Sequence, residues 1–344
     1  MSRASPQTKT TSATRIHLWY GDQQRFGRHG RPQRAINLLG HVDAPDGLES
    51  LVWHDRDGES RALSIGPDGF RLERPGDFNV EIPCASLQGG CNDILIAARW
   101  RDGTSESRSV QVDFDADTHW PLPYHVDFVE LSLQSGRWQE QVQVVDGRWA
   151  LTPTGLRTAS GHYDRLLTVG DRTWTDYRTR TTVVIHRMLY DTPGDLGGGV
   201  GLLHRWSGHV PDAYQPHREW RPNGAIGWYR ADWEGSPAST RSLNISDAVV
   251  ADTVLTTAGP STLQLETPYI FEFGQQSRPG KCSLYRFRVW PVGAPGQLLC
   301  DLEAEARAGE SSSGSVLLIA LFADISVQSI DVTPLGGRHG LGAT

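Results

Sequence analysis

Apolar and polar positions alternate with a period of two along much of the chain. In Tyr285-Arg286-Phe287-Arg288-Val289-Trp290, Tyr285, Phe287 and Val289 fall on one face and Arg286, Arg288 and Trp290 on the other. That is the signature of a strand with one packed face and one face open to water or a ligand. Short β-branched or aromatic runs recur between Asp-Gly, Pro-Gly and Asn-Gly turn signals, and no long amphipathic helical pattern interrupts them. The chain therefore reads as all-β, with helix confined to a turn or two.

The strand-like runs fall into two groups. Ala35–Val42, Leu51–Trp53, Phe78–Ile82, Asp93–Trp100 and Ser107–Phe114 have the spacing of a small Greek-key sandwich. This first region, 15–116, looks like a bacterial immunoglobulin-like or cadherin-like module. Cys84 and Cys91 lie too close in sequence to bridge two sheets as antibody domains do. Residues 117–124 contain Trp120-Pro121-Leu122-Pro123, which enforces extended backbone and predicts a Pro-rich linker. The second region, 125–335, holds Arg165–Tyr177, Gly198–Leu203 and the closing strands within 281–333. These segments resemble the jelly-roll domains of the concanavalin A-like lectin/glucanase (laminin G-like) superfamily, over roughly 119–335. The expected fold class is thus a small immunoglobulin-like Greek-key sandwich followed by a larger antiparallel jelly-roll sandwich. Residues 1–14, rich in Ser and Thr, read as a disordered leader, and 336–344 as a flexible tail.

Charge and composition remove several partners. A net charge of -7 without a Lys/Arg block argues against duplex nucleic acid, whose phosphates demand a basic face. No apolar run reaches the length of a membrane-spanning helix. The four cysteines divide two and two, and pairing within each region, Cys84 with Cys91 and Cys282 with Cys300, requires no proximity between regions. Two disulfides would place the protein in an oxidising setting: secreted, periplasmic or cell-surface.

The densest candidate chemistry lies between His186 and Glu234, where aromatics, histidines, arginines and carboxylates interleave. If Ala225–Glu234 is a strand, period two puts Trp228, Arg230, Asp232 and Glu234 on one face. Such a face offers a sugar platform beside a cation and two carboxylates. Retaining glycosidases hold their carboxyl groups about 5–5.5 Å apart and inverting ones about 6.5–9.5 Å, ranges that i,i+2 residues on a strand can reach. The laminarinase-like hydrolases of the resembled superfamily carry Glu-x-Asp-x-x-Glu or Glu-x-Asp-x-Glu where this chain has only Asp232-Trp233-Glu234.

A second set joins His186, Tyr190, His204, Trp206, Tyr229 and Arg230. Jelly-roll polysaccharide lyases use His or Tyr as acid and base, with a cation quenching the uronate carboxylate. Arg218 and Glu219, in a loop after Pro211 and Pro216, and Arg286 complete the candidate substrate contacts. The resemblance also implies a structural calcium tying the first and last strands, for which Asp127 and Asp331 are the matching positions. No organic cofactor is expected, because neither Gly66-Pro67-Asp68-Gly69 nor Gly197-Gly198-Gly199-Val200-Gly201 leads into a phosphate-binding helix. The functional expectation is a carbohydrate-active protein that degrades an extracellular polysaccharide, hydrolase ahead of lyase. The alternative is a non-catalytic carbohydrate-binding or adhesion module.

Overall fold

The computed structural model describes residues 14–56, 58–134, 137–189, 197–231, 241–247, 249–250 and 253–336. Eight strands form before residue 115: β1 (Ile16–Leu18), β2 (Gln23–Phe26), β3 (Ala35–Val42), β4 (Leu48–His54), β5 (Ser60–Ala62), β6 (Asp77–Pro83), β7 (Gly90–Trp100) and β8 (Ser105–Phe114). They make a three-stranded sheet, β1-β3-β6, and a five-stranded sheet, β2-β8-β7-β4-β5. Only the β2–β8 pair is parallel among their pairings. The alternating apolar positions, such as Ile94, Ile96 and Ala98 facing Ile36, Leu38, Phe78 and Val80, close one core between the two sheets.

Fifteen further strands follow: β9 (Tyr124–Asp127), β10 (Gln143–Asp146), β11 (Trp149–Thr152), β12 (Gly155–Thr158), β13 (Arg165–Val169), β14 (Tyr177–Met188), β15 (Gly198–Trp206), β16 (Ala225–Ala231), β17 (Ser242–Asp247), β18 (Val254–Pro260), β19 (Pro268–Arg278), β20 (Lys281–Pro291), β21 (Cys300–Glu305), β22 (Ser315–Leu321) and β23 (Ala323–Pro334). They form a seven-stranded sheet, β10-β13-β22-β15-β16-β17-β18, packed on an eight-stranded sheet, β11-β12-β23-β14-β19-β20-β21 with β9 beside β23. This is an antiparallel jelly-roll sandwich. A short helix, α1 (Phe128–Leu133), follows β9, its first turn capped by Asp127 Oδ1 accepting from Glu130 N at 2.9 Å.

The larger core lies between these two sheets. Tyr177, Val183 and Ile185 of β14, Phe271 and Phe273 of β19 and Tyr285, Phe287 and Val289 of β20 meet Val200, Leu202, Tyr229, Leu243 and Leu318 from the opposite sheet. The apolar face expected for Tyr285–Trp290 is thus the packed one. Gly227 is required here, since a Cβ on it would lie 2.7 Å from both Phe273 Cδ2 and Phe287 Cδ2.

The outer face of the seven-stranded sheet is also covered over part of its area. Val145, Leu166, Leu203, Trp206, Leu317 and Ile319 form a separate apolar cluster there, with Tyr163 and Trp220 packed against it. Beside it, a buried ion network joins the β5–β6 segment to the jelly roll. Arg71, with no exposed side-chain area, donates to Asp146 Oδ2 at 2.6 Å and Glu81 Oε1 at 2.7 Å. Arg165 donates to Asp146 Oδ1 at 3.1 Å and Glu73 Oε2 at 2.9 Å. Burial works against the charge on Arg71, and Glu81 with Asp146 outweighs it, holding the guanidinium above its ordinary value. Trp120, in the stretch read as a linker, is buried against the larger core.

The cysteines do not pair. All four are free thiols. Cys300 lies opposite Val289, while Cys282 sits seven residues earlier on the same partner strand. At about 3.3 Å per residue that separates them by about 23 Å along the sheet, far beyond disulfide reach. Cys84 lies in the turn after β6 with its Sγ on Gln33 O at 3.7 Å, and Cys91 is exposed on β7 opposite Asp113. The expected Cys84–Cys91 and Cys282–Cys300 bridges are therefore corrected, and the argument they gave for an oxidising compartment lapses. No described helix is long and apolar enough to cross a membrane.

Candidate functional site

Period-two alternation on β16 turns Tyr229 and Ala231 inward and Trp228 and Arg230 outward, onto the seven-stranded sheet's outer face, where both are half-buried and Trp228 packs at the edge of the outer apolar cluster. The neighbouring strands supply their surroundings. In register, Trp228 lies between Gly201 of β15 and Asn244 of β17, and Arg230 between Gly199 and Ser242. The two glycines form a floor: a Cβ on Gly201 would lie 2.2 Å from Trp228 Cβ, and one on Gly199 3.2 Å from Trp228 Cε3. Only glycine lets the indole lie this close to the sheet.

A directed hydrogen-bond chain runs from the indole along β17. Trp228 Nε1 donates to Ser246 Oγ at 2.9 Å, Ser246 Oγ to Asn244 Oδ1 at 2.9 Å, and Asn244 Nδ2 to Ser242 Oγ at 3.1 Å. The Arg230 guanidinium carbon sits 4.5 Å from the Trp228 ring centroid, within cation–π range. The result is a half-buried aromatic edged by a cation, hydroxyls and an amide. Asp232 and Glu234, the next outward positions expected on this strand, lie outside the described residues, as does Tyr190 of the second set. Ser242, Asn244 and Ser246 were absent from the sequence-based candidates. Their signal was there: polar side chains alternate with Leu243 and Ile245 through this strand.

Other candidates are placed elsewhere. Tyr229 is 2% exposed and belongs to the inter-sheet core, where it reaches no substrate. His204 is fully buried between the rings of Tyr177 and Phe273, at 4.5 and 4.6 Å, with Nε2 3.0 Å from Thr179 Oγ1. Burial holds its pKa well below the ordinary value, so it is a neutral core histidine rather than an acid or base. A bulge between His204 and Trp206, with Arg205 at φ 57°, breaks the alternation there. Trp206, fully buried in the outer apolar cluster, meets His209 and Trp220 edge-on and offers no sugar platform.

Arg218 is held between Phe70 at 3.8 Å and Tyr214 at 3.9 Å and pairs with Asp68 at 3.3 Å. Its position is a seam between chain segments. Glu219 accepts from the backbone of Trp220 and Arg221 and from the Arg221 guanidinium. Arg221 holds the Glu219 carboxyl below its usual range, the opposite of what a general acid needs at neutral pH.

His186 lies on the outer face of the other sheet. Its Nδ1 is 2.8 Å from Glu266 Oε2 and its Nε2 is 2.8 Å from Ser326 Oγ. This Ser–His–Glu order matches a nucleophile triad in connectivity but inverts it in access. Ser326 is fully buried and Glu266 exposed, whereas acyl transfer needs an accessible hydroxyl and a sheltered acid. Arg286 is on that same face, bound through Nε and Nη2 to Asp301 at 2.6 Å each. It flanks a row across six strands in which carboxylates alternate with His125 and two arginines: His125, Asp331, Arg180, Glu272, Arg288 and Asp301. Glu272, nearly buried, takes Arg178 at 3.6 Å and close contacts from Arg180 and Arg288. Opposite charges on adjacent strands satisfy one another, which gives this face a sheet-stabilising role.

Asp127 and Asp331 do not fit a calcium ion. The strands that carry them do pair, Asp127 opposite Ser329 and Asp331 opposite His125. However, Asp127 caps α1 and Asp331 Oδ1 is 2.5 Å from His125 Nδ1, whereas calcium takes six to eight oxygens. Among the described residues no group of three or more His, Cys, Asp or Glu is placed to hold a metal.

No protein-family model and no curated protein matches this chain. Several solved structures are similar to part of the chain. The exoplasmic/lumenal domain of VIP36, in a Ca2+/Man3GlcNAc-bound form, is 10% identical with TM-score 0.41, covering 59% of this chain and 88% of that one. The carbohydrate recognition domain of Emp46p, metal-free, is 10% identical with TM-score 0.40, covering 60% and 94%. Alginate lyase Aly36B, in complex with an alginate tetrasaccharide, is 10% identical with TM-score 0.41, covering 64% and 100%. Likeness at this level assigns no residue of this chain a role.

Proposed function

We propose that this chain is a carbohydrate-binding protein that holds a polysaccharide along the outer face of its seven-stranded sheet. The observation that carries this reading is the chain Trp228–Ser246–Asn244–Ser242 beside Arg230 on a glycine floor. Sugars present apolar C–H faces and hydroxyls that both donate and accept. The half-buried indole, with the Arg230 guanidinium 4.5 Å from its centroid, meets the C–H faces, and Ser242 at the start of β17 offers a hydroxyl; Asn244 and Ser246, at 3% and 6% exposure, hold the indole in place. Among the described residues no acid–base pair accompanies this face, since His204 and Tyr229 are core residues and His186 is on the opposite sheet. These placements support a binding role for the described part of the face; Asp232 and Glu234, the carboxylates expected next on β16, lie outside the described residues.

In the same reading the chain comprises an immunoglobulin-like module at 15–116, a linker at 117–124 and the jelly roll at 125–335. The division of the first eight strands into β1-β3-β6 and β2-β8-β7-β4-β5 supports the first of these. A polysaccharide panel tests the function, read for binding, reducing ends and the absorbance of unsaturated uronates. Binding that Trp228→Ala and Arg230→Ala weaken, without product formation, is expected. Reducing ends alone would instead indicate hydrolysis, and both signals a lyase.

A further inference from the structure

A cavity of ≈ 580 Å³ lies where β2, β3 and β8 of the N-terminal sheets meet β10 and the Trp138–Glu140 turn of the jelly roll. Its lining is unusually rich in side-chain amides: Gln23, Gln24, Asn37, Gln111, Gln139 and Gln143. They converge from five segments of the chain, with Gln23 and Gln111 directly paired across the parallel β2–β8 register.

Three of the six are buried: Gln24 at 8% exposure, Asn37 at 3% and Gln143 at 8%. Asn37 is held locally, accepting one bond from Gln33 and donating one to Asn79. Gln24 and Gln143 each spend one N–H, on Gly21 O and Ala35 O, both at 3.0 Å. An amide carries two donors and a carbonyl with two lone pairs, so both keep most of their capacity. Gln23, Gln111 and Gln139 make no side-chain hydrogen bond among the described residues. Tyr20 and Phe26 add aromatic wall. The nearby charges are largely compensated: Arg25 pairs with Glu140 at 3.2 Å and Asp113 at 3.6 Å, Arg137 with Glu140 at 3.4 Å, and Arg28 with Glu140.

We infer that this cleft is a second binding site, for a neutral oligosaccharide of a few units, independent of the outer-face site proposed above. A hydroxyl donates and accepts at once, and a side-chain amide does the same. A phosphate or carboxylate would instead call for donors and uncompensated cations. The volume falls in the range of ligand pockets, about 300–1,000 Å³, and the aromatic wall suits the C–H faces of pyranose rings.

The test uses the full chain and calorimetric titration with four neutral tetrasaccharides, gluco-, xylo-, manno- and galacto-configured, and one uronate tetrasaccharide. Gln111→Ala/Gln139→Ala alters exposed side chains on opposite walls, and an unchanged melting temperature certifies its fold. At least one neutral tetrasaccharide should bind, the double variant should weaken it at least tenfold, and Trp228→Ala should leave it unchanged. Hydrogen exchange with that sugar bound should show protection at 23–26 and 141–144. Binding abolished only by Trp228→Ala would assign the sugar to the outer face and overturn the inference. Preference for the uronate, lost with added salt, would overturn it too, as would failure of all four neutral sugars to bind at millimolar concentration.

Discussion

Replacing Arg71 with Met tests the ion network that fastens the β5–β6 segment to the jelly roll. Arg71 donates to Asp146 and Glu81, and its side chain has no exposed area, while the Asp146 side chain is 2% exposed. Met keeps much of the aliphatic volume but removes the charge, leaving Asp146 with Arg165 alone at 3.1 Å and Glu81 without its guanidinium. Breaking a buried pair by removing one partner costs about 3–5 kcal/mol. Arg165 remains on Asp146, so the lower end, about 3 kcal/mol, is expected. Equilibrium urea unfolding at neutral pH, followed by tryptophan fluorescence, measures it. Asp146→Leu combined with Arg71→Met should cost less than the sum of the single changes, because both partners of the buried Arg71–Asp146 pair are then gone. A loss below about 1 kcal/mol for Arg71→Met would refute the reasoning, since that is the range of a solvated surface pair.

The same region sets a pH dependence. Burial, reinforced by Asp146, raises the Asp164 carboxyl from its ordinary 3.8 to about 7. Between those values the unfolded chain is ionised at this site and the folded chain holds its proton, so stability falls as pH rises, by at most about 1.4 kcal/mol per pH unit from this one group. Asp164→Asn should flatten that decline between pH 4 and 7 in a denaturation series, and an unchanged slope would contradict the assignment. Native-state alkylation should modify exposed Cys91 first and Cys300 last, because Cys300 is buried and its thiol is pushed up to about 12. Recovery of a disulfide-linked peptide would overturn the free-thiol arrangement. Glu272→Ala should destabilise the eight-stranded sheet by about 1–3 kcal/mol, since Arg178, Arg180 and Arg288 lose a shared buried acceptor. An unchanged urea midpoint would show that the row of charges is merely decorative.

How far the sequence reveals this arrangement depends on whether a strand has one covered face or two. On β20 the outer face carries Arg286 and Arg288 and the inner face is apolar, so period two gave both the strand and its orientation. On β16 the same alternation correctly grouped Trp228 with Arg230, yet Tyr229 also looked like a functional residue because its hydroxyl does not announce burial. Every residue of β15 is buried, since the sheet is covered on both sides around His204 and Trp206, and a pattern of polarity then carries no information about facing. The cysteine pairs failed for a related reason. Nearness in sequence says nothing about register, and the β20–β21 hairpin slides Cys300 opposite Val289. Nor does local pattern report that Arg71 meets Asp146 across 75 positions, or that amides from five segments share one cleft.

The central claim, that the outer face of the seven-stranded sheet binds glycan through Trp228, is tested most directly by titrating wild type and Trp228→Ala with the polysaccharide that binds wild type most tightly. Removing a central aromatic contact of this kind costs about 2 kcal/mol or more, roughly thirtyfold in Kd. A loss of that size with the folded spectrum retained is expected. Equal affinity of the two proteins would contradict it.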